Sequence, residues 1–520
     1  MQRARTKIVA TLGPATSDRA TIAALIRAGM NVARLNFSHG SYAEHAALIR
    51  AVREAAADEG QIVAILQDLQ GPRIRLGEVA AGTLLEPGQR FVLDTESAPG
   101  NAQRASMSYA RQVAAHAAPQ HRVLIDDGRL ELEVVRSDVD SIVTTVRAGG
   151  ALGSRKGVNL PDTALAILSP TDKDRADVLF GISHDVDFIA LSFVSNAAQV
   201  RELQAMIRAE GSEAHVVAKI ERPEAVTNIA EIVAQADAIM VARGDLALEI
   251  GATHVPVVQK KIILAANEAG VPVITATQML ESMIREPKPT RAETSDVANA
   301  IFDGSDAVML SGETAVGRYP VGSVAEMTAI AMATERELPY RRLGQRGAEL
   351  AKRSIDRAIC EAAVEVARRA NAAAVIAVTS SGATPRAVSV YRPEMPIVGA
   401  SHRIKTCRRL ALVWGVTPLF IGEYQNTDEM VKIVIETAER HGIVADGERI
   451  VITSGQPIGH PGSTNMVQVR QVGDWIRREA LMAAEVVGSA TAVGAANDAA
   501  PAGPAAGDDG AGSTGDDGAE

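Results

Sequence analysis

The sequence predicts an α/β protein: a (β/α)8 TIM barrel, a β-barrel lid domain inserted after strand 3, and a C-terminal α/β open-sheet domain. Eight apolar runs alternate with helical segments up to about residue 337. The runs are continuously apolar rather than in-out alternating, as expected of strands covered on both faces. The alternation breaks once, after the third run, where short strand-like pieces with Gly and Pro turns take over.

The first three units read TKIVATLG, helix SDRATIAALIRAG, strand MNVARLNFSHG, helix YAEHAALIRAVREAAADEG and strand QIVAILQDLQG. The pieces GTLLEPGQRFVL, HRVLIDDGRLELEVV and DSIVTTVRAGG form the insertion, assigned to 72–162. From Ser169 the theme resumes with a helix to Ser183, strand DFIALSFV, a helix over Ala197 to Ala209 and strand HVVAKIER. A single helix over Pro223 to Ala236 precedes strand DAIMVARGD. Helix Val255 to Ala269, strand VPVITATQML, helix Thr290 to Phe302, strand DAVMLSGET and helix Val321 to Glu337 complete a barrel assigned to 1–71 and 163–340. A doubly wound sheet is the alternative, but it usually carries a Gly-rich turn after strand one, which ATLGPATSD does not supply. A separate α/β unit occupies 350–477, and the Ala/Gly/Asp-rich segment 486–520 has the composition of a disordered tail.

A chain of 520 residues is too long for one core. Aromatics at 3% disfavour a base-stacking nucleic-acid binder. Much of the formal charge of -10 comes from Asp498, Asp508, Asp509, Asp516, Asp517 and Glu520, leaving a nearly balanced body with no electrostatic case for nucleic acid or membranes. Cys360 and Cys407 are isolated, which indicates neither a disulfide framework nor a zinc site. With no signal-peptide core and no 18-residue apolar run, the expectation is a cytoplasmic protein.

In such a barrel the active site lies at the C-terminal strand ends. There the sequence delivers Arg34, Asn36, Ser38 and His39 after strand two, Asp68 with Arg73 and Arg75 after strand three, and Ser192 after strand four. Lys219 and Glu221 follow on strand five, Arg243, Gly244 and Asp245 on strand six, Thr277 on strand seven, and Ser311 and Glu313 on strand eight. Individually these read as an ion pair, a helix cap or a core hydroxyl. Collected at one rim they need a metal or a charged ligand, because burying several charges is otherwise costly. Two carboxylates suit Mg2+ and the cations suit phosphate, a combination that fits phosphoryl transfer.

The segments TKIVATLGPAT, GMNVARLNFSHG, KGVNLP, AKIERPEAV, IMVARGDLALEI, VITATQMLESMI, PTRAETSDVANAI and DAVMLSGETAVGRYP, in this order, resemble pyruvate kinase from about residue 5 to 340, and more loosely to about 475. The resemblance implies phosphoryl transfer from phosphoenolpyruvate to ADP, giving pyruvate and ATP. It places Mg2+ (or Mn2+) on Glu221 and Asp245, makes Lys219 the clamp on the moving phosphoryl group, and sets Gly244 and Asp245 at the substrate carboxylate. Thr277 stands where the family protonates the enolate, through a water. Arg34 and Arg75 would grip phosphates, with Asn36, His39 and Lys173 on the nucleotide side, and the inserted domain would close as a lid. A homotetramer is implied by the family alone.

Potassium-dependent members resemble Asp-Thr-Lys-Gly-Pro-Glu where this chain reads Asp68-Leu69-Gln70-Gly71-Pro72-Arg73. In them the residues matching Asn36, Ser38 and Asp68 are among the K+ ligands. A guanidinium about 5 Å from a bound cation repels it by roughly 3 kcal/mol at an effective dielectric near 20. Arg73 is therefore expected to stand in for K+, which would not be required; the alternative is that Arg73 pairs with Asp68 or points into the lid. In the C-terminal domain, Thr379, Ser380, Ser381, Gly382 and Thr384 match a place where relatives bind phosphorylated effectors, with SGQPIGHPGSTN beside it. The basic residues usual in that first loop are Ser380 and Ala383 here, so no particular sugar phosphate is implied. Two rival readings are a barrel lyase or mutase acting on pyruvate or phosphoenolpyruvate, and a non-catalytic metabolite sensor.

Overall fold

The computed structural model describes residues 4–163, 169–350, 354–457 and 464–474; the expected tail and part of the Gly/Pro-rich loop 454–465 fall outside them. Eight parallel strands close a barrel: β1 (Lys7–Thr11), β2 (Met30–Asn36), β3 (Ala64–Asp68), β4 (Phe188–Leu191), β5 (His215–Ile220), β6 (Ala238–Ala242), β7 (Val273–Ala276) and β8 (Ala307–Leu310). Neighbours in sequence are neighbours in the ring, and β1 closes on β8 with Lys7 beside Ala307. Registers such as Asn36 opposite Asp68 and Ala190 opposite Asp68 bring the polar strand ends to one level.

The barrel interior is small and aliphatic: Val9, Val32, Ala64, Ala190, Val217, Ala238, Ile274 and Met309 pack into one cluster, and Ala411 and Leu412 of the C-terminal domain plug it from below. Helices begin where the sequence offers caps. Ser41 and Glu44 form a capping box on Tyr42–Asp58, as do Thr171 with Asp174 and Thr290 with Glu293 on their helices.

One expected helix is split. In place of a single helix over Pro223 to Ala236 the chain forms Pro223–Thr227 and Ile229–Gln235. Asn228 lies between them, its side-chain amide donating to the Ser195 carbonyl at 2.9 Å, a tertiary bond that accompanies the break.

The inserted segment has its own core, with Phe91, Leu93, Ile125 and Leu132 fully buried, under a six-stranded sheet in which Leu130–Ser137 pairs with Ser141–Ala148. The C-terminal unit is a five-stranded sheet ordered Val416–Phe420, Ile397–Ser401, Ala374–Val378, Arg449–Gly455 and Thr464–Gln471. Only the last strand is antiparallel. Lys405 and Arg408 to Asp185, and Arg403 and Arg409 to Glu213, tie this unit to the barrel floor. Among the described residues no helix is long and apolar enough to cross a membrane.

Candidate active site

The barrel mouth holds a buried charge network centred on β5. Lys219 Nζ lies 2.8 Å from Glu221 Oε1 and 3.2 Å from Asp68 Oδ1, and donates to Ser192 Oγ at 2.7 Å. Asp68 is gripped from its other side by Arg34, at 2.8 Å through Nε and 2.6 Å through Nη2, while Arg34 Nη1 donates to Thr11 Oγ1. Three strands thus contribute one ion cluster from which water is largely excluded: Glu221 is fully buried and Asp68 nearly so.

The charge states follow. Lys219 and Arg34 hold the Asp68 carboxyl below its ordinary range despite its burial. Burial alone would lower the Lys219 ammonium, but Asp68, Glu221 and Asp245 raise it above its ordinary value. Burial pushes Glu221 up, with Asp245 adding to it and Lys219 opposing. That carboxyl is short of positive charge even beside Lys219.

This shortage is the test of fit for a divalent ion. Glu221 Oε2 accepts from the Phe193 amide at 2.6 Å, whereas Oε1, though near Lys219, is buried without a hydrogen bond. Asp245 is about a third exposed at the start of the helix Arg243–Ile250. Among the described residues no group of three or more His, Cys, Asp or Glu could hold a metal alone. Two carboxylates with open positions for substrate oxygens suit Mg2+, which keeps much of its shell for water and phosphate.

Thr277 follows β7 with φ +74°, and Gln278 with φ +55°, a backbone region costly for a β-branched residue. Arg243 holds this bend: its Nη2 donates to the Thr277 carbonyl at 2.6 Å and its Nη1 pairs with Asp296 at 2.8 Å. A Cβ at Gly244 would stand 2.8 Å from Thr277 Cγ2, so the glycine lets the helix start and the threonine meet. Thr277 is thus brought beside the Gly244–Asp245 turn, next to the carboxylate pair.

A second group of charges rims the mouth. Burial lowers the His39 imidazole, and Arg75, Arg73 and Arg34 lower it further; burial and Arg73 likewise lower Arg75. The basic groups His39, Arg73 and Arg75 lie within electrostatic reach of one another, with Arg34 close by, a concentration of positive charge that favours an anion. Lys173 is not free among them: it donates to the Phe37 carbonyl at 3.0 Å and pairs with Asp177 at 2.6 Å, bracing the loop after β2. The Asn36 side chain accepts from the Ser38 amide at 3.1 Å.

Arg73 does not pair with Asp68. Its Nη2 lies 4.0 Å from Asp245 Oδ1, and Asp68 is already matched by Arg34 and Lys219. Leu69 is buried, donating its amide to the Ala190 carbonyl and accepting Ser192 Oγ at 2.7 Å on its own carbonyl.

The C-terminal loop is largely self-satisfied. Thr379 Oγ1 accepts from the Gly382 amide at 2.9 Å, Thr384 bonds Thr464 at 2.8 Å, and the Ser380 carbonyl accepts from Thr406. Among the described residues Ser381 Oγ meets only the Ala383 amide, at 3.4 Å.

Thr11 and Asp174 escaped the sequence reading: the first orients Arg34 and the second accepts the Gly71 amide at 3.0 Å ahead of Arg73. Thr11 lies within the segment TKIVATLGPAT and Asp174 in the Thr171 capping box, but neither pattern marks the contact each makes at the mouth. Glu313, collected at the rim, is structural instead, accepting the Leu280 and Ser311 amides.

Family models for "Pyruvate kinase, barrel domain" and "Pyruvate kinase, alpha/beta domain" match residues 3–324 and 357–470. A pyruvate kinase of Geobacillus stearothermophilus is 45% identical over 478 residues, spanning 91% of this chain and 81% of its own length. Pyruvate kinase 2 of Synechocystis sp. is 43% identical over 475 residues, spanning 90% and 79%. Among solved structures, a pyruvate kinase from Cryptosporidium parvum superposes with a TM-score of 0.85 at 35% identity, covering 90% of this chain and 96% of its own.

Proposed function

The chain belongs to the pyruvate kinase family, and from that premise we propose how its residues divide the work and that it needs no potassium. It is a phosphotransferase that moves the phosphoryl group of phosphoenolpyruvate to ADP, giving pyruvate and ATP, with a divalent metal required.

Glu221 and Asp245 are the residues that would hold Mg2+ (or Mn2+), which when bound supplies positive charge to the substrate carboxylate and phosphate oxygens. Lys219, pinned between Asp68 and Glu221, stays protonated and offers its charge to the phosphoryl group in flight. Arg34, locked by Asp68 and Thr11, presents its remaining donor capacity to phosphate. The amides at the start of Arg243–Ile250 bind the substrate carboxylate, as helix starts bind anions.

Loss of the phosphoryl group leaves an enolate, and its carbon gains a proton beside Thr277. A free hydroxyl is too weak an acid, so Thr277 orients a water that delivers the proton. Arg75, His39 and Asn36 take the nucleotide phosphates, with Lys173 holding the loop that carries two of them. The inserted domain closes over the mouth and excludes water that would otherwise capture the phosphoryl group.

Potassium independence rests on one observation: the Arg73 guanidinium stands 4.0 Å from Asp245, within reach of the anionic substrate's space. Its fixed charge occupies the neighbourhood that K+ serves in relatives with an acid there. A phosphorylated effector at Thr379, Ser380, Ser381, Gly382 and Thr384, cytoplasmic location and a homotetramer belong to the same proposal and are supported by family membership.

Pyruvate formation from phosphoenolpyruvate, ADP and Mg2+ in buffer with a large organic counter-ion, then with K+ added, tests this reading. Full activity at once, little changed by K+, is the expected result. A strict need for K+ would overturn the role of Arg73 while leaving the reaction intact.

A further inference from the structure

Beneath the barrel, away from the mouth, a cavity of about 80 Å3 lies between the loops that enter β7 and β8 and the C-terminal domain. Its carboxylates are already matched. Asp306 pairs with Arg392 at 3.0 Å and accepts the Val273 amide at 2.9 Å, while Asp303 pairs with Lys260. Arg392 is charge-matched, its Nη1 facing Asp306 though without a well-aligned hydrogen bond, its Nη2 donating to the Gly304 carbonyl at 2.9 Å, and its guanidinium 4.8 Å from the centre of the Trp414 ring.

Arg386 is different. It lines this cavity from the helix Ala383–Ser389, and among the described residues its guanidinium makes no ion pair. Asp237, whose charge it feels, is engaged elsewhere, accepting the Val216 amide at 2.9 Å. Burial lowers the Arg386 pKa, Asp237 opposes, and the like charge of Arg357 adds to the lowering. Arg357 stands close by, packed against Gly270 of the cavity wall, and its Nη1 is buried without a hydrogen-bond partner.

A guanidinium that lines the cavity without an ion pair among the described residues, beside Trp414, Val390 and Leu338 and with the Arg357 guanidinium behind Gly270, is costly unless an anion completes it. The planar fork of arginine matches phosphate oxygens.

We propose that this cavity between the barrel floor and the C-terminal domain binds a phosphate dianion, with Arg386 as its principal contact and Arg357 as the second cation. The site is separate from the mouth, and residues 379–384 do not line it, although Arg386 also lines a smaller neighbouring pocket with Ser381 and Gly382. It lies under the entry to β7, the strand whose other end presents Thr277.

Trp414 lines the cavity, and the chain's other tryptophan is Trp475, so W475F leaves a single local fluorophore. The full-length W475F protein is titrated with inorganic phosphate and, separately, with glycerol 3-phosphate. The expected result is a saturable change in Trp414 emission, weakened about tenfold or more by R386Q, as loss of a charged hydrogen-bonded contact implies, and unmoved by S381A. Tighter binding of the ester marks a phosphorylated metabolite as the natural occupant, and equal binding marks free phosphate. No saturable change, or R386Q titrating like its parent, overturns the proposal. If R386Q does not fold, R357Q serves in its place, with a several-fold weakening expected and parental binding counting against the site.

Discussion

Replacing Arg73 with glutamate converts a cation 4.0 Å from Asp245 into an anion at a similar place. At an effective dielectric near 20 a unit charge pair at that separation is worth roughly 4 kcal/mol. Both side chains are about a third exposed, and solvent screening reduces this to about 1–2 kcal/mol. The loss falls on the space proposed for the anionic substrate, so kcat/KM for phosphoenolpyruvate in potassium-free buffer drops by about fivefold to thirtyfold. Added K+, drawn to the new carboxylate, restores most of it, and a saturation curve in K+ appears that the parent does not show. The assay is coupled pyruvate formation at fixed Mg2+ with K+ titrated against a large organic cation. An R73E enzyme as active as its parent without K+, or one that K+ fails to rescue while it stays folded, would refute the substitution argument.

Gly244→Ala places a methyl 2.8 Å from Thr277 Cγ2, and the resulting shift of the threonine is expected to cut kcat about a hundredfold with little change in thermal stability. Lys219→Met leaves Asp68 and Glu221 short of their shared cation; metal-free protein should lose about 3–5 kcal/mol in denaturant titration, and turnover should be nearly abolished. His215 is pushed down to about 4 by burial, against the pull of Asp237 and with Arg409 and Arg386 adding to the depression. The unfolded chain then binds a proton that the folded chain does not, so stability falls as pH drops from about 6.5 to about 4. His215→Gln should flatten the denaturation midpoint across that window, and an unchanged slope would show that other groups carry it.

The strand count, the interruption after β3 and the polar ends of the strands were legible because each is a local property of the chain. Apolar runs without in-out alternation reflect burial on both faces, and caps such as Ser41 and Thr290 mark helix starts through bonds within four residues. The split at Asn228 was not legible, since the bond that accompanies it goes to Ser195, on another unit. Lys173 likewise drew its place from the Phe37 carbonyl and Asp177, the first on a distant loop.

At the site, the sequence by itself determined which chemical groups reach the barrel mouth, because strand order and a period-two pleat fix which residues end each strand. Their partners were decided only by barrel closure. Asp68 answers to Arg34 and Lys219 rather than to Arg73 because three strands converge there, and Arg73, beyond its strand on a turn, is free to reach Asp245. Ion-pair choice in a buried cluster depends on distances of 3 to 4 Å between residues far apart in sequence, which local pattern does not encode.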